Sequence, residues 1–380
     1  MPTFHRGDIA LNLIIEDLLG VGLHGEVYAA RHRFTGEGFA LKVTHLADRQ
    51  NAGAVRRALT AARGTYSIDH ANVVKVFDLG CEADGMVWIR MELLQGCTIS
   101  TLLAWQGRLS PLMALSVAYE AAWGLAAAHE AQIVHRDVKP GNLFLVNAGP
   151  ARTAVKVLDF SVAKVLPSSL ETTLGRGALG TLGYMPGEQI YGAPAHPCFD
   201  IYALGMTLWQ MLAGVHPFQA DLQDMRALIA KQLLEVPPSL VQAAGLPPRI
   251  DDLVRRAVEK DASRRYPSMI AFARAIDEAR AWLSAEIAAG RFPAYRPKGE
   301  PAIPAVSPAQ AYFAPMPVRA AEPGPAPPEA RVILPPQSPK GGLGGTIPLG
   351  ESGLFGLVPP RDAMLPSPPL SSPDDRKERR

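Results

Sequence analysis

Cysteine is scarce in this chain of 380 residues: Cys81, Cys97 and Cys198 are the only three, odd in number and never in a CxxC arrangement. That argues against a disulfide framework and a structural zinc, and leaves three thiols expected to be buried in a reducing compartment. An excess of one charge is also missing. Lys and Arg total 38 against 36 Asp and Glu, a formal net charge of +2, which offers no electrostatic footprint for nucleic acid. The terminal RKERR reads as a short solvated run. No apolar run approaches the roughly 18 residues needed to cross a bilayer, and the opening MPTFHRGDIALNLIIEDLLG carries acids where a signal peptide would not. The expectation is a cytoplasmic protein with neither nucleic acid nor membrane among its partners.

Proline, by contrast, is plentiful and unevenly placed. Of 35 prolines, 21 follow residue 290, in segments such as AEPGPAPPEA and LPSPPLSSPDD. Such composition has little apolar periodicity with which to offset chain entropy, so a disordered or extended tail is expected, serving as a linker or as a docking strip for proline-reading partners. Ahead of it the pattern changes once. Residues 9–92 hold alternating β-branched runs (EVYAARH, FALKV, VVKVFDLG, MVWIRMEL), the mark of a small antiparallel sheet with one helix. Residues 98–287 read mainly as helix. PLMALSVAYEAAWGLAAAHEA starts with Pro111 after a capping Ser110, and DIYALGMTLWQMLAG runs from Asp200 to Gly214. The fold class is therefore α+β and bilobal: an N-terminal lobe over 1–92, a mainly helical lobe over 93–287 and a tail over 288–380, with a cleft between the lobes.

Four motifs face that cleft. LGVGLHGEVY puts GxGxxGxV between two strands, where glycine lets backbone amides approach phosphates that a side chain would block. FALKV supplies Lys42 at the spacing of a phosphate-clamping charge. HRDVKPGN packs His135, Arg136, Asp137, Lys139 and Asn142 into one loop, and VLDFS presents Asp159 straight after an apolar strand. Asn142 and Asp159 are hard oxygen donors suited to Mg²⁺.

In order and spacing these motifs resemble the eukaryotic-like serine/threonine protein kinases of bacteria, over roughly residues 8–285. The resemblance implies ATP and Mg²⁺ as cofactors and protein substrates as partners. The nucleotide would lie against Leu19, Gly20, Val21, Gly22, Leu23, His24, Gly25, Val27, Ala40, Lys42 and Phe144, with Glu92 and Leu94 as the hinge to adenine and Met91 as gatekeeper. Asp137 would be the base, Lys139 a contact to the transferred phosphate, and Asn142 and Asp159 the metal ligands. His135 is expected to pack under Phe160, and His24 to cover the phosphates. Thr181 is expected to tie the activation segment to Asp137, Glu188 and Arg265 to form a buried pair, and Asp200 to hold the catalytic loop by its amides. Thr172 and Thr173 are candidate phosphorylation sites, with Arg136 as phosphate partner.

The chain departs from that pattern in three places. Ser161 stands for the glycine of Asp-Phe-Gly, and Pro186-Gly187-Glu188 stands for Ala-Pro-Glu. The third departure is an absence: AVRRALTAARGTYSIDHANVV contains no glutamate, and between Val43 and Asp78 the only acids are Asp48 and Asp69. Counting back from His70-Ala71-Asn72-Val73-Val74, the glutamate that pairs with the lysine in this family falls on Ala61, flanked by Thr60, Ala62 and Arg63. Arg56 and Arg57 add like charge. Two readings follow: a kinase slowed by the loss that orients Lys42 by another route, through Thr60, Asp159 itself or an acid brought by the tail or a partner, or a pseudokinase scaffold that binds nucleotide or partners without turnover.

Overall fold

Alternating side chains in the first ninety residues form a six-stranded sheet in the computed structural model, which describes residues 2–22, 25–45, 66–82, 85–147, 153–160, 179–222 and 224–293. Its strands are β1 (Ile9–Ala10), β2 (Leu13–Gly22), β3 (Gly25–His32), β4 (Gly38–His45), β5 (Val76–Cys81) and β6 (Met86–Glu92). They pair antiparallel in the order β1-β2-β3-β4-β6-β5. The period of two sends Val27 and Ala29 to one face and Tyr28 and Ala30 to the other, so β3 contributes to two separate apolar clusters. Several expectations lie outside the described residues: the single helix of this lobe with Thr60 and Ala61, Leu23 and His24 of the glycine hairpin, Ser161, Thr172, Thr173 and the proline-rich tail.

The second lobe begins with α1 (Ile99–Gln106) and α2 (Pro111–Glu130). Ser110 caps α2, its hydroxyl accepting from the Met113 amide with proline in the first turn, as its sequence requires. By length and composition α2 could cross a membrane, which the reading of the sequence missed, but more than half of its apolar window is buried in the lobe. A small sheet of β7 (Gly96–Thr98), β8 (Leu143–Asn147) and β9 (Thr153–Val157) carries the loops on either side of the cleft. Beyond it come α3 (Leu179–Leu182), α4 (Gly187–Ile190), α5 (Cys198–Ala213), α6 (Met225–Leu234), α7 (Leu240–Ala244), α8 (Pro248–Ala257) and α9 (Met269–Ala288).

Helix α5 is the axis of this lobe. It starts two residues before the expected Asp200, ends on Gly214 in the left-handed region (φ 88°), and is buried from Phe199 to Leu212. A helix apolar on every side must lie inside a lobe. Its buried polar groups are all bonded: Thr207 donates to the Ala203 carbonyl, Gln210 accepts from Tyr184, and Asp200 is described below. Gly205 admits α8, since a Cβ there would sit 2.8 Å from Ala257 and Val258. Of the three cysteines only Cys97 is buried; Cys81 and Cys198 are partly exposed, and all three are free thiols.

Candidate active site

The HRDVKPGN loop descends from α2 and turns through a short 3₁₀ segment at Pro140–Asn142 into β8. Asp200, wholly buried, holds its start: Oδ2 accepts from the His135 amide and Oδ1 from the Arg136 amide, both at 2.8 Å. His129 reaches the same carboxylate, Nε2 to Oδ2 at 2.8 Å, a contact the sequence reading missed. Burial alone would raise the Asp200 pKa, but the hydrogen bonds and charge of its partners hold it below the usual carboxylate range. The loop needs this bracing. Arg136 sits at φ 64°, a left-handed conformation unfavourable for a side chain of its size. Gln189 of α4 adds a hydrogen bond to the Arg136 carbonyl at 3.0 Å.

The expected catalytic residues converge. Lys139 Nζ lies 3.0 Å from Asp137 Oδ2 and 2.8 Å from Thr181 Oγ1, and Asn142 Nδ2 donates to the Asp137 carbonyl at 2.7 Å and to its Oδ2 at 3.0 Å. Thr181 was expected to reach Asp137; the recorded path to it runs through Lys139. His135 packs under Phe160 with ring centroids 4.6 Å apart, and its Nε2 meets the Leu158 carbonyl at 2.7 Å, so it joins the catalytic loop to the strand that presents Asp159. Asp159 itself stands at φ 54°.

Across the cleft, Lys42 on β4 pairs with Asp159, Nζ to Oδ1 at 2.6 Å, both side chains largely shielded. This carboxylate, 117 residues away in the chain, is one of the alternative partners the missing glutamate calls for. The apolar residues expected around adenine form one cluster: Leu19, Val27, Ala40, Met91, Leu94 and Phe144, joined by Ala29, Val74 and Leu158, which were not foreseen. Gly20, Val21 and Gly22 end β2, with Gly22 opposite Gly25 across the hairpin. Gly25 has a further reason to be glycine. At φ 116°, a Cβ would stand 2.0 Å from the Val43 carbonyl oxygen, so the hairpin closes onto β4 only without a side chain. The side chain of Glu92 turns away to accept from the Lys75 amide and from Lys156 Nζ, both at 2.7 Å.

The donor set fits a magnesium ion. The Asp159 carboxylate and the Asn142 side-chain oxygen are two hard donors, the number typical of a cation that shares its shell with phosphates and water. Arg265 is wholly buried and grips Glu188 through both terminal nitrogens, at 2.5 and 3.2 Å, as the family resemblance implied. The altered Pro186-Gly187 also has a local reason, since a Cβ on Gly187 would press within 3.0 Å of Leu233 on α6. Residues whose roles depend on distant partners escaped the sequence: Glu120, which accepts from Asn72 and the Val155 amide, and Gly124, where a Cβ would meet the Asn72 carbonyl at 2.5 Å.

A two-lobed fold with a lysine, a braced aspartate and two oxygen donors around one cleft defines the kinase class. The chain belongs to the protein kinase domain family, whose pattern matches residues 13–275. Among curated proteins it is 32% identical to the serine/threonine-protein kinase PrkC of Bacillus subtilis over 249 residues, and 35% identical to Pkn1 of Myxococcus xanthus over 266. It is 31% identical to PknA of Mycobacterium tuberculosis over 271 residues. These matches cover 66%, 69% and 70% of this chain but 37%, 37% and 61% of the relatives, so the chain spans less than two thirds of each. The crystal structure of the M. tuberculosis PknI kinase domain superposes with a TM-score of 0.60 at 26% identity, covering 74% of this chain and 100% of that one.

Proposed function

We propose that this chain is a serine/threonine protein kinase that transfers the γ-phosphoryl group of ATP to a protein hydroxyl, at a rate lowered by Ala61. The observation that carries this reading is the convergence of Lys139 and Asn142 on Asp137 within 3.2 Å, with Thr181 joined to it through Lys139. Asp137 takes the proton as the substrate oxygen bonds to the γ-phosphorus and the bond to the β–γ bridging oxygen breaks, releasing ADP. Lys139 offsets charge on the transferring oxygens. Magnesium held by Asn142 and Asp159 would neutralise phosphate charge. Lys42 moves from Asp159 toward the nucleotide phosphates, and here the chain is weakest. If a misplaced Lys42 removes about 2–4 kcal/mol of transition-state stabilisation, the rate falls roughly 30- to 1000-fold. The catalytic unit is read as the matched domain, and the proline-rich segments after residue 290 as a strip for proline-reading partners, on composition alone.

The second reading, a scaffold without turnover, is favoured by the sequence at Ala61 and Ser161. Transfer of label from radioactive ATP, measured with magnesium on the full chain, separates the two. Label that disappears in Asp137→Asn and rises about tenfold or more in Ala61→Glu is the outcome expected of a slowed kinase. No label in the unaltered chain or in Ala61→Glu, with nucleotide still bound, means a scaffold.

A further inference from the structure

The first residues of the chain lie on the glycine hairpin. Strand β3 turns Val27 and Ala29 into the cluster that contains Ala40, Leu94 and Phe144, the expected adenine surroundings, while Tyr28 and Ala30 face the opposite cluster with Leu13, Ile15 and Phe39. Glu26 and Tyr28, two residues apart, share that outer face. Residues 3 and 4 meet both. The Thr3 amide donates to Glu26 Oε2 at 2.8 Å, the Phe4 amide donates to the Tyr28 hydroxyl at 3.0 Å, and that hydroxyl donates to Glu26 Oε2 at 2.5 Å. The Phe4 ring meets Tyr28 edge to face at 5.6 Å and packs on the outer cluster. The segment then joins the sheet: the Gly7 amide bonds to the Ile15 carbonyl, and the Ile15 amide to the Asp8 carbonyl, both at 2.9 Å.

These bonds reach the start of β3. Glu26 follows Gly25, whose backbone lies against Val43, and pairs with Val21 across the hairpin. Glycine-rich hairpins lose much conformational freedom when they close over a ligand. A strap fastened to the outer face limits that freedom beforehand and so favours binding. Burial and the Glu26 carboxylate push the Tyr28 hydroxyl up to about 12, so it stays a donor across the physiological range.

We propose that residues 3–8 act as a clasp, with Glu26 and Tyr28 as positioning residues that hold the glycine hairpin over the nucleotide. The inference rests on the reading of the cleft as an ATP site. The clasp affects nucleotide affinity and leaves the chemical step alone, because its described bonds lie on the outer face of the sheet, away from the cluster expected around adenine.

The experiment is titration of a fluorescent ATP analogue with magnesium against the full chain, Tyr28→Phe, Thr3→Pro and Ile15→Val. Tyr28→Phe keeps the ring and deletes the bridging hydroxyl; Thr3→Pro removes the amide donor to Glu26 together with the threonine side chain, and fixes the local backbone. Ile15→Val trims the same outer cluster and keeps the Ile15 backbone bonds to Gly7 and Asp8. Losing one or two such bonds is expected to raise Kd about threefold to tenfold in the first two variants, with kcat on a peptide unchanged and Ile15→Val binding like the unaltered chain. Unchanged Kd in Tyr28→Phe and Thr3→Pro, or an equal rise in Ile15→Val, overturns the clasp while leaving the ATP site standing. Failure of the unaltered chain to bind the analogue overturns the ATP site, and the clasp with it.

Discussion

The two sides of the cleft are braced very differently. On the helical side, the loop carrying Asp137 is fixed by a buried carboxylate, two histidines and a glutamine: Asp200 holds two amides, His129 holds Asp200, His135 ties the loop to Leu158, and Gln189 holds the Arg136 carbonyl. On the sheet side, Lys42 rests on Asp159, the residue also expected to serve the metal. The loop that carries Asp137 is thus held by groups outside the expected catalytic set, whereas Lys42 shares its partner with the expected metal site. On the proposed function, the sheet side is where the rate would be open to adjustment.

The largest effect expected from breaking this contrast comes from Asp200→Ala. It strands two buried amides and His129 at once, and loss of one member of a buried charged network costs about 3–5 kcal/mol. Chemical denaturation should show that loss, and label transfer should fall with it. The folded-state pKa of Asp200 is depressed, so its contribution is present above the ordinary carboxylate value of 3.8 and is lost as pH falls through the lower folded value. Acid unfolding of the unaltered chain should therefore be steeper below about pH 4 than that of Asp200→Asn. Equal stability of Asp200→Ala and the unaltered chain would mean the helical side is no better braced than the sheet side.

Ala61→Glu sharpens the same contrast with a smaller change. It should raise the transfer rate about tenfold or more while moving the unfolding free energy by less than about 1 kcal/mol, since orientation and not folding is what the glutamate restores. A variant that gains stability and no rate would show that Lys42 was already placed by Asp159.

The helical side was also the more legible of the two. HRDVKPGN keeps its groups local, so spacing alone placed Asp137, Lys139 and Asn142 together, and capping chemistry placed α2 to the residue. Lys42 and Asp159 followed from their motifs, and the cluster expected around adenine from the family resemblance. Partners brought together by tertiary packing were not readable: Lys156 on Glu92, His129 on Asp200 and Glu120 on Asn72 are ordinary polar residues on helices and strands until the fold aligns them. Gly25 was read for phosphate approach, and its contact with Val43 could not be seen without β4 in place. The length of α2 had the converse problem, since a core helix and a membrane span share the same composition.

The smallest effect concerns the outermost brace of the helical side. The carbonyl of Gly183, two residues beyond Thr181, accepts from Gln232, whose amide oxygen accepts from Tyr202, and Lys260 donates to the Tyr202 hydroxyl at 2.9 Å and to the Gln232 carbonyl at 2.8 Å. Burial, and then the charge of Arg265, push the Lys260 pKa down to about 8 from 10.5. Below pH 8 the ammonium is charged in folded and unfolded chains alike, and the folded state bears the full cost of burying it. Between about 8 and 10.5 the unfolded chain holds the extra proton, so stability contributed by this site rises with pH. Discounted for its partial exposure, the gain is on the order of 1 kcal/mol. Lys260→Gln should remove that rise, so that denaturation midpoints at pH 7.5 and 9.5 differ less than in the unaltered chain by about that amount. Identical pH slopes in the two proteins would mean that Lys260 is solvated, and that the brace on the Gly183 carbonyl ends at Gln232.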